Sequence, residues 1–196
     1  MSKTVDMQAI TVPNLLTYFR MAASFVLLYF GILGRWDVAY PVFLAAAATD
    51  LVDGTIARVL RQRTRLGAFL DPVADKALMF ASFITLTTAG FIPLPVTLLV
   101  FARDVLISVG LYILKRSRVA IVYQPTYLSK LTTFFQILTV FGAFTRTQDL
   151  PRARAFFGDL PYDTLWAFAL AITTVLTAVT AVQYVRIGWG MFQSKN

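Results

Sequence analysis

Two pairs of aspartates, Asp50 with Asp53 and Asp71 with Asp75, stand in strongly apolar stretches of this chain. A carboxylate at membrane depth costs about 2.5–3.5 kcal/mol or more. Four of them close together must be paired, protonated or bound to cations. Residues three or four apart on a helix share a face, so each pair presents both carboxylates to one side. Two facing helices would deliver all four into one cavity. Left alone, the charges would repel and most would protonate. Divalent cations resolve this: four carboxylates can hold two Mg²⁺ or Mn²⁺ ions with positions left open for phosphate oxygens. Such two-metal sites carry out displacement at phosphorus.

The neighbouring residues fit that chemistry. Gly54 and Ala57 follow the first pair, and Gly67 and Ala68 precede the second. Small side chains leave backbone accessible to a diphosphate, or let helices approach closely. Arg58 offers a planar fork for phosphate oxygens. Pro72 follows Asp71 and is expected to kink its helix. Each of these has a structural alternative. Gly54 and Ala57 alone suit helix packing, and Arg61, Arg63 and Arg65 suit an orientation signal at the lipid surface. A single intramembrane Asp would suit a structural ion pair, but four at these spacings are hard to account for that way.

Composition sets what must position these residues. The chain has 196 residues, 58% hydrophobic and 14% charged, against about 25% charged in a soluble domain. Mean hydropathy is +0.68. The expected class is a polytopic membrane protein in one domain, 1–196. Cysteine, histidine and glutamate are absent; all ten acidic residues are Asp. That excludes disulfides, thiolate or histidine metal sites, and Ser-His-Asp or Cys-His catalysis. The net charge of +8 lies beside apolar spans, which favours anionic lipid head groups over nucleic acid.

Apolar runs predict an all-α bundle of six transmembrane helices near 14–34, 38–60, 67–90, 93–114, 127–145 and 163–189. Each is long enough for a bilayer core of about 30 Å. Residues 1–13 form a juxtamembrane segment suited to the membrane surface. The first apolar run contains Arg20 and no cleavage-like site follows it, which argues against a signal peptide. Arg58, Arg61, Arg63 and Arg65 follow span two, and Lys115, Arg116 and Arg118 follow span four, whereas the connection around Gly90 is uncharged. The positive-inside tendency puts both termini and a polar cavity on the cytoplasmic side. The segment 146–163, with three arginines and three aspartates, fits less well. In this topology Arg20, Arg103 and Lys130 fall at the depth of the aspartates, so polar groups from five spans converge.

The pattern D-x2-D-G-x2-A-R-x8-G-x3-D-x3-D resembles the signature of the CDP-alcohol phosphatidyltransferase family, with all eight fixed positions present over 26 residues. Pro13, Asn14, Leu15, Leu16 and Thr17 with Arg20 resemble the opening of the bacterial phosphatidylglycerol-type synthases. So does the run from Gly67 to Lys76. The resemblance covers nearly the whole chain. It implies attack of an acceptor hydroxyl on the lipid-bearing phosphorus of CDP-diacylglycerol, with CMP leaving. It implies two divalent metals, Mg²⁺ or Mn²⁺, among Asp50, Asp53, Asp71 and Asp75, with Asp75 as general base. It implies contacts from Asn14, Asp53, Gly54, Ala57, Arg58 and Gly67 to CDP-diacylglycerol. It also implies a homodimer, and the absence of a transit-like segment favours a bacterial cytoplasmic (inner) membrane.

The resemblance implies one of two acceptors: phosphatidylglycerol, giving cardiolipin, which the second half of the chain favours, or glycerol 3-phosphate, giving phosphatidylglycerol phosphate. Arg103, Asp104 and Val105, with Pro125, Thr126, Ser129, Lys130 and Thr133, resemble the eukaryotic-type cardiolipin synthases within the family. Phosphatidylglycerol phosphate synthases more often carry a second Lys where this chain has Thr132. Losing that cation weakens the case for a free phosphomonoester, although Arg65, Arg103 and Lys130 remain as candidate acceptor contacts. For Arg103 the alternative is an ion pair with Asp104, but side chains adjacent on a helix diverge by about 100°. A cation transporter is the competing class, since intramembrane carboxylates are equally at home there. An arginine beside the aspartates argues against a cation path.

Overall fold

The computed structural model describes residues 11–59, 65–116, 126–148 and 162–193. These form helices α1 (Val12–Ile32), α2 (Trp36–Val59), α3 (Arg65–Thr88), α4 (Leu94–Arg116), α5 (Tyr127–Thr147) and α6 (Tyr162–Gln193). All described regular structure is helical, as expected. By length and composition, Asn14–Ile32, Tyr127–Thr147 and Tyr162–Gly188 can cross a membrane, among the described residues. Most of the surface segment 1–13 lies outside the described residues.

The helices fall into two compact units, one ending at Phe91 and one beginning at Ile92. In the first, α1 packs on both α2 and α3. Its start follows local rules: Thr11 caps it by accepting from the Asn14 N–H, and a proline occupies the first turn. Helix α1 is polar inside and apolar outside. Asn14, Thr17, Arg20 and Ser24 are buried on one face, while Leu15, Phe25, Tyr29 and Ile32 are exposed on the other. Lipid leaves little hydrophobic drive for association, so buried polar and small groups must hold the helices together.

Gly31 is one of those small groups. A Cβ there would meet Thr85 Cγ2 at 2.1 Å, and Thr85 is fully buried on α3. A threonine side chain has little room to yield. Gly31→Ala is therefore expected to destabilise the first unit by about 1–3 kcal/mol, read as a lower unfolding temperature in detergent. An unchanged temperature would mean that α1 and α3 shift freely at this contact. At the α1–α2 turn Gly34 takes a positive φ of 70°, and Trp36 packs edge-to-face on Phe91 with ring centroids 5.9 Å apart. Arg35 donates to Asp37 at 2.9 and 3.0 Å. This hydrogen bond holds the Asp37 carboxyl below its ordinary range. The pair is therefore present above the unfolded carboxylate pKa, near 3.9, and is lost as pH falls through the lowered folded value.

In the second unit α6 packs on α4 and α5. A threonine ladder joins α5 to α6. Thr139 and Thr173 hydroxyls are 2.8 Å apart, and Gln136 Nε2 donates to Thr177 Oγ1 at 3.5 Å. At the far end Tyr162 donates to the Gly142 carbonyl at 2.5 Å, and the Arg146 guanidinium stacks over Trp166 at 4.4 Å. Residue numbers rise along α5 as they fall along α6, so the two helices run antiparallel.

Candidate functional site

Helix α3 carries Asp71 and Asp75 one turn apart, and α1 meets both. Thr17 Oγ1 donates to Asp71 Oδ1, and Arg20 Nη1 pairs with Asp75 Oδ1. Thr17 and Arg20 are three apart and the aspartates four apart, so each helix offers one face and the order of contacts is the same along both. That order makes α1 and α3 parallel, as alternating spans require. Arg20 is 1% exposed while Asp75 is 48% exposed. The cation is thus set into the protein, and the carboxylate stands at its edge with room for a further ligand. Asn14, one turn before Thr17, is buried, and so is Gly67, one turn before Asp71.

Pro72 lies inside α3, which stays a single helix from Arg65 to Thr88. Proline removes one donor from the helical ladder. A second proline, Pro41, lies inside α2. The α2 backbone is helical through Asp50, Asp53, Gly54, Ala57 and Arg58. The side chains of these residues, and that of Arg65, lie outside the described ones.

Carboxylate oxygens with an adjacent hydroxyl suit a hard divalent cation. Asp71 and Asp75 supply that donor type on one face of α3. Among the described residues no group of three or more acidic side chains forms; the side chains of Asp50 and Asp53 lie outside them. A cation bound by these aspartates would offset charge on a diphosphate and on the departing phosphate. The protein's own part is orientation: Thr17 and Arg20 fix the rotamers of Asp71 and Asp75 from the neighbouring helix.

The second unit holds another polar cluster. Arg103 is buried, and its Nη1 pairs with Asp104 Oδ1 at 2.8 Å. Its Nη2 donates to Ser129 Oγ at 2.6 Å, linking α4 to α5. The Tyr184 ring centroid lies 6.0 Å from Cζ of Arg103. Helical divergence argued against the Arg103–Asp104 pair, yet it forms, because the long arginine stem lets the guanidinium turn back to its neighbour. Arg103 Nε has no hydrogen-bond partner among the described residues. Lys130 is exposed at the same end of α5. Ser129→Ala is expected to destabilise the second unit by about 1.5–3 kcal/mol, because the buried Arg103 loses a hydrogen bond, read as a lower unfolding temperature in detergent. An unchanged temperature would mean that the contact contributes nothing to packing.

Thr132 is fully buried in the α5–α6 contact, donating to its own helix at Leu128 O (2.8 Å) and reaching Leu176 O at 3.5 Å. Position 132 is therefore committed to helix packing in this chain. Composition and motif alone assign no role to Thr17 or Ser129. Their signal is spacing: Thr17 and Arg20 match the Asp71–Asp75 step, and Ser129 belongs to the same resembling segment as Lys130.

Residues 10–180 match the CDP-alcohol phosphatidyltransferase family. The chain belongs to that family. Its members are transferases, generally dependent on divalent cations. The chain is 35% identical to human cardiolipin synthase (CMP-forming), over 91% of this chain and 62% of that protein. It is 32% identical to the CDP-diacylglycerol--glycerol-3-phosphate 3-phosphatidyltransferase of Pectobacterium atrosepticum, over 94% of this chain and 93% of that one. A probable phosphatidylglycerophosphate synthase of Mycobacterium tuberculosis is 35% identical over 76% of this chain and 64% of its own length. The chain thus spans less than two thirds of the human relative's length. Family membership removes support from the cation-transporter alternative. The relatives divide between cardiolipin synthases and phosphatidylglycerophosphate-type synthases.

Proposed function

We propose that this protein transfers the phosphatidyl group of CDP-diacylglycerol to the hydroxyl of phosphatidylglycerol, releasing CMP and forming cardiolipin. The observation that carries the acceptor reading is the Arg103–Ser129 hydrogen bond. It joins the two segments that resemble eukaryotic-type cardiolipin synthases into one polar cluster. The identity to human cardiolipin synthase supports the same reading, as does the burial of Thr132 where a second lysine would serve a phosphomonoester. A second reading, transfer to glycerol 3-phosphate, is favoured by the match along 93% of the Pectobacterium enzyme.

In either reaction Asp75 takes the proton of the attacking hydroxyl; its exposure leaves the carboxylate within reach of the hydroxyl, and Arg20 orients it. Asp50, Asp53, Asp71 and Asp75 hold two Mg²⁺ or Mn²⁺ ions. Asn14, Asp53, Gly54, Ala57, Arg58 and Gly67 receive the CDP portion, and Arg65, Arg103 and Lys130 the acceptor. The six helices span a bacterial cytoplasmic membrane as one domain, 1–196, with the polar cavity facing the cytoplasm and two copies forming a dimer. The support for this reading is the family match, which runs from the start of α1 into α6.

The test is CMP release by purified protein with CDP-diacylglycerol and Mn²⁺ or Mg²⁺, with each acceptor supplied separately and products identified by mass. Cardiolipin is expected with phosphatidylglycerol, and no CMP after chelation. Phosphatidylglycerol phosphate formed only with glycerol 3-phosphate would overturn the acceptor and keep the chemistry.

A further inference from the structure

A cavity of about 490 Å³ lies on the second unit, bordered by Leu128 of α5 and by Ala178, Val179, Val182, Gln183 and Arg186 of α6. Its size falls in the range of small-molecule sites, about 300–1,000 Å³. Val179, Val182 and Arg186 follow one another at helical spacing, so an apolar strip leads to a single cation. Val179 and Val182 are about half exposed. Gln183 is the other polar residue among those named. Its Oε1 is buried with no hydrogen-bond partner among the described residues.

These features define a ligand. The apolar strip suits an acyl chain. Arg186 suits a phosphate, and stands near the end of its helix where cationic side chains reach the membrane interface. We propose that this groove binds an anionic phospholipid with its phosphate on Arg186. A phosphatidylcholine head group lacks the net negative charge. The groove adjoins the polar cluster along the chain: Leu128 precedes Ser129, and Gln183 precedes Tyr184, whose ring faces Arg103. The lipid site stands on the groove alone; only naming its occupant as the acceptor rests on the acceptor reading above.

Native mass spectrometry of delipidated full-length protein, offered phosphatidylglycerol and phosphatidylcholine in equal amounts, tests the site. Wild type is expected to retain phosphatidylglycerol about fivefold over phosphatidylcholine, the effect of one cationic side chain at an anionic lipid surface. Arg186→Gln should remove the preference. Val182→Trp, which fills the groove, should remove the bound lipid. Both should keep the wild-type unfolding temperature, since both residues are exposed. Equal retention of the two lipids by wild type, or unchanged retention in both variants, overturns the proposal. So does a change of oligomeric state in Val182→Trp with phosphatidylglycerol still bound, which would make the groove a surface covered by a second copy. The CMP-release assay reads the acceptor separately. A wild-type enzyme that uses only glycerol 3-phosphate would end the acceptor reading while leaving the lipid preference to stand or fall by its own measurement.

Discussion

Asp75→Asn is expected to slow CMP release by about 10²–10⁴-fold, the usual worth of a positioned acid–base group. The substitution keeps shape and leaves an oxygen to accept from Arg20. It removes the capacity to take a proton from the acceptor hydroxyl and weakens any cation held there. Oligomeric state should match wild type, while the unfolding temperature should fall, because the buried Arg20 keeps a polar contact but loses its counter-charge. Activity within tenfold of wild type would move the general base elsewhere. A loss of activity that excess Mn²⁺ restores would assign Asp75 to cation binding and not to proton transfer.

Arg20→Met is the second large effect. Arg20 is among the largest fully buried side chains, and it pairs across helices with Asp75. Removing one partner of a buried pair costs about 3–5 kcal/mol. Here one end is half exposed, so the lower end of that range applies. Both a lower unfolding temperature and a fall in CMP release are expected. Arg20→Lys should restore stability in part but activity less, because a point charge lacks the planar fork that fixes the carboxylate. The double variant with Asp75→Asn separates the roles. If the arginine acts through Asp75, the two losses of activity will not add. Full additivity would make Arg20 a packing residue independent of Asp75.

Much of this was legible before any coordinates. The Asp71–Asp75 step put two carboxylates on one face, and α3 carries them that way. The positions of six helices followed from apolar runs, since bilayer thickness sets a minimum length. Other features were not legible. Thr17 and Arg20 lie 54 and 55 residues before their carboxylate partners. No local pattern says which helix meets which. Helix spacing sets only the direction of the Arg103 Cα–Cβ bond, and the guanidinium lies several bonds beyond it. The missing cation at position 132 is visible in the sequence, but the burial of Thr132 against α6 is not.

The sequence by itself determined the membrane class and the family. Those depend on composition and on short spacings that any helix preserves. Tertiary structure decided the partners. Parallel packing of α1 on α3 gave each carboxylate a donor. Contact between α4 and α5 joined Arg103 to Ser129, and antiparallel packing of α5 on α6 buried Thr132. Side-chain pairing across helices depends on crossing, depth and rotation, and a linear pattern of apolar residues specifies these only loosely.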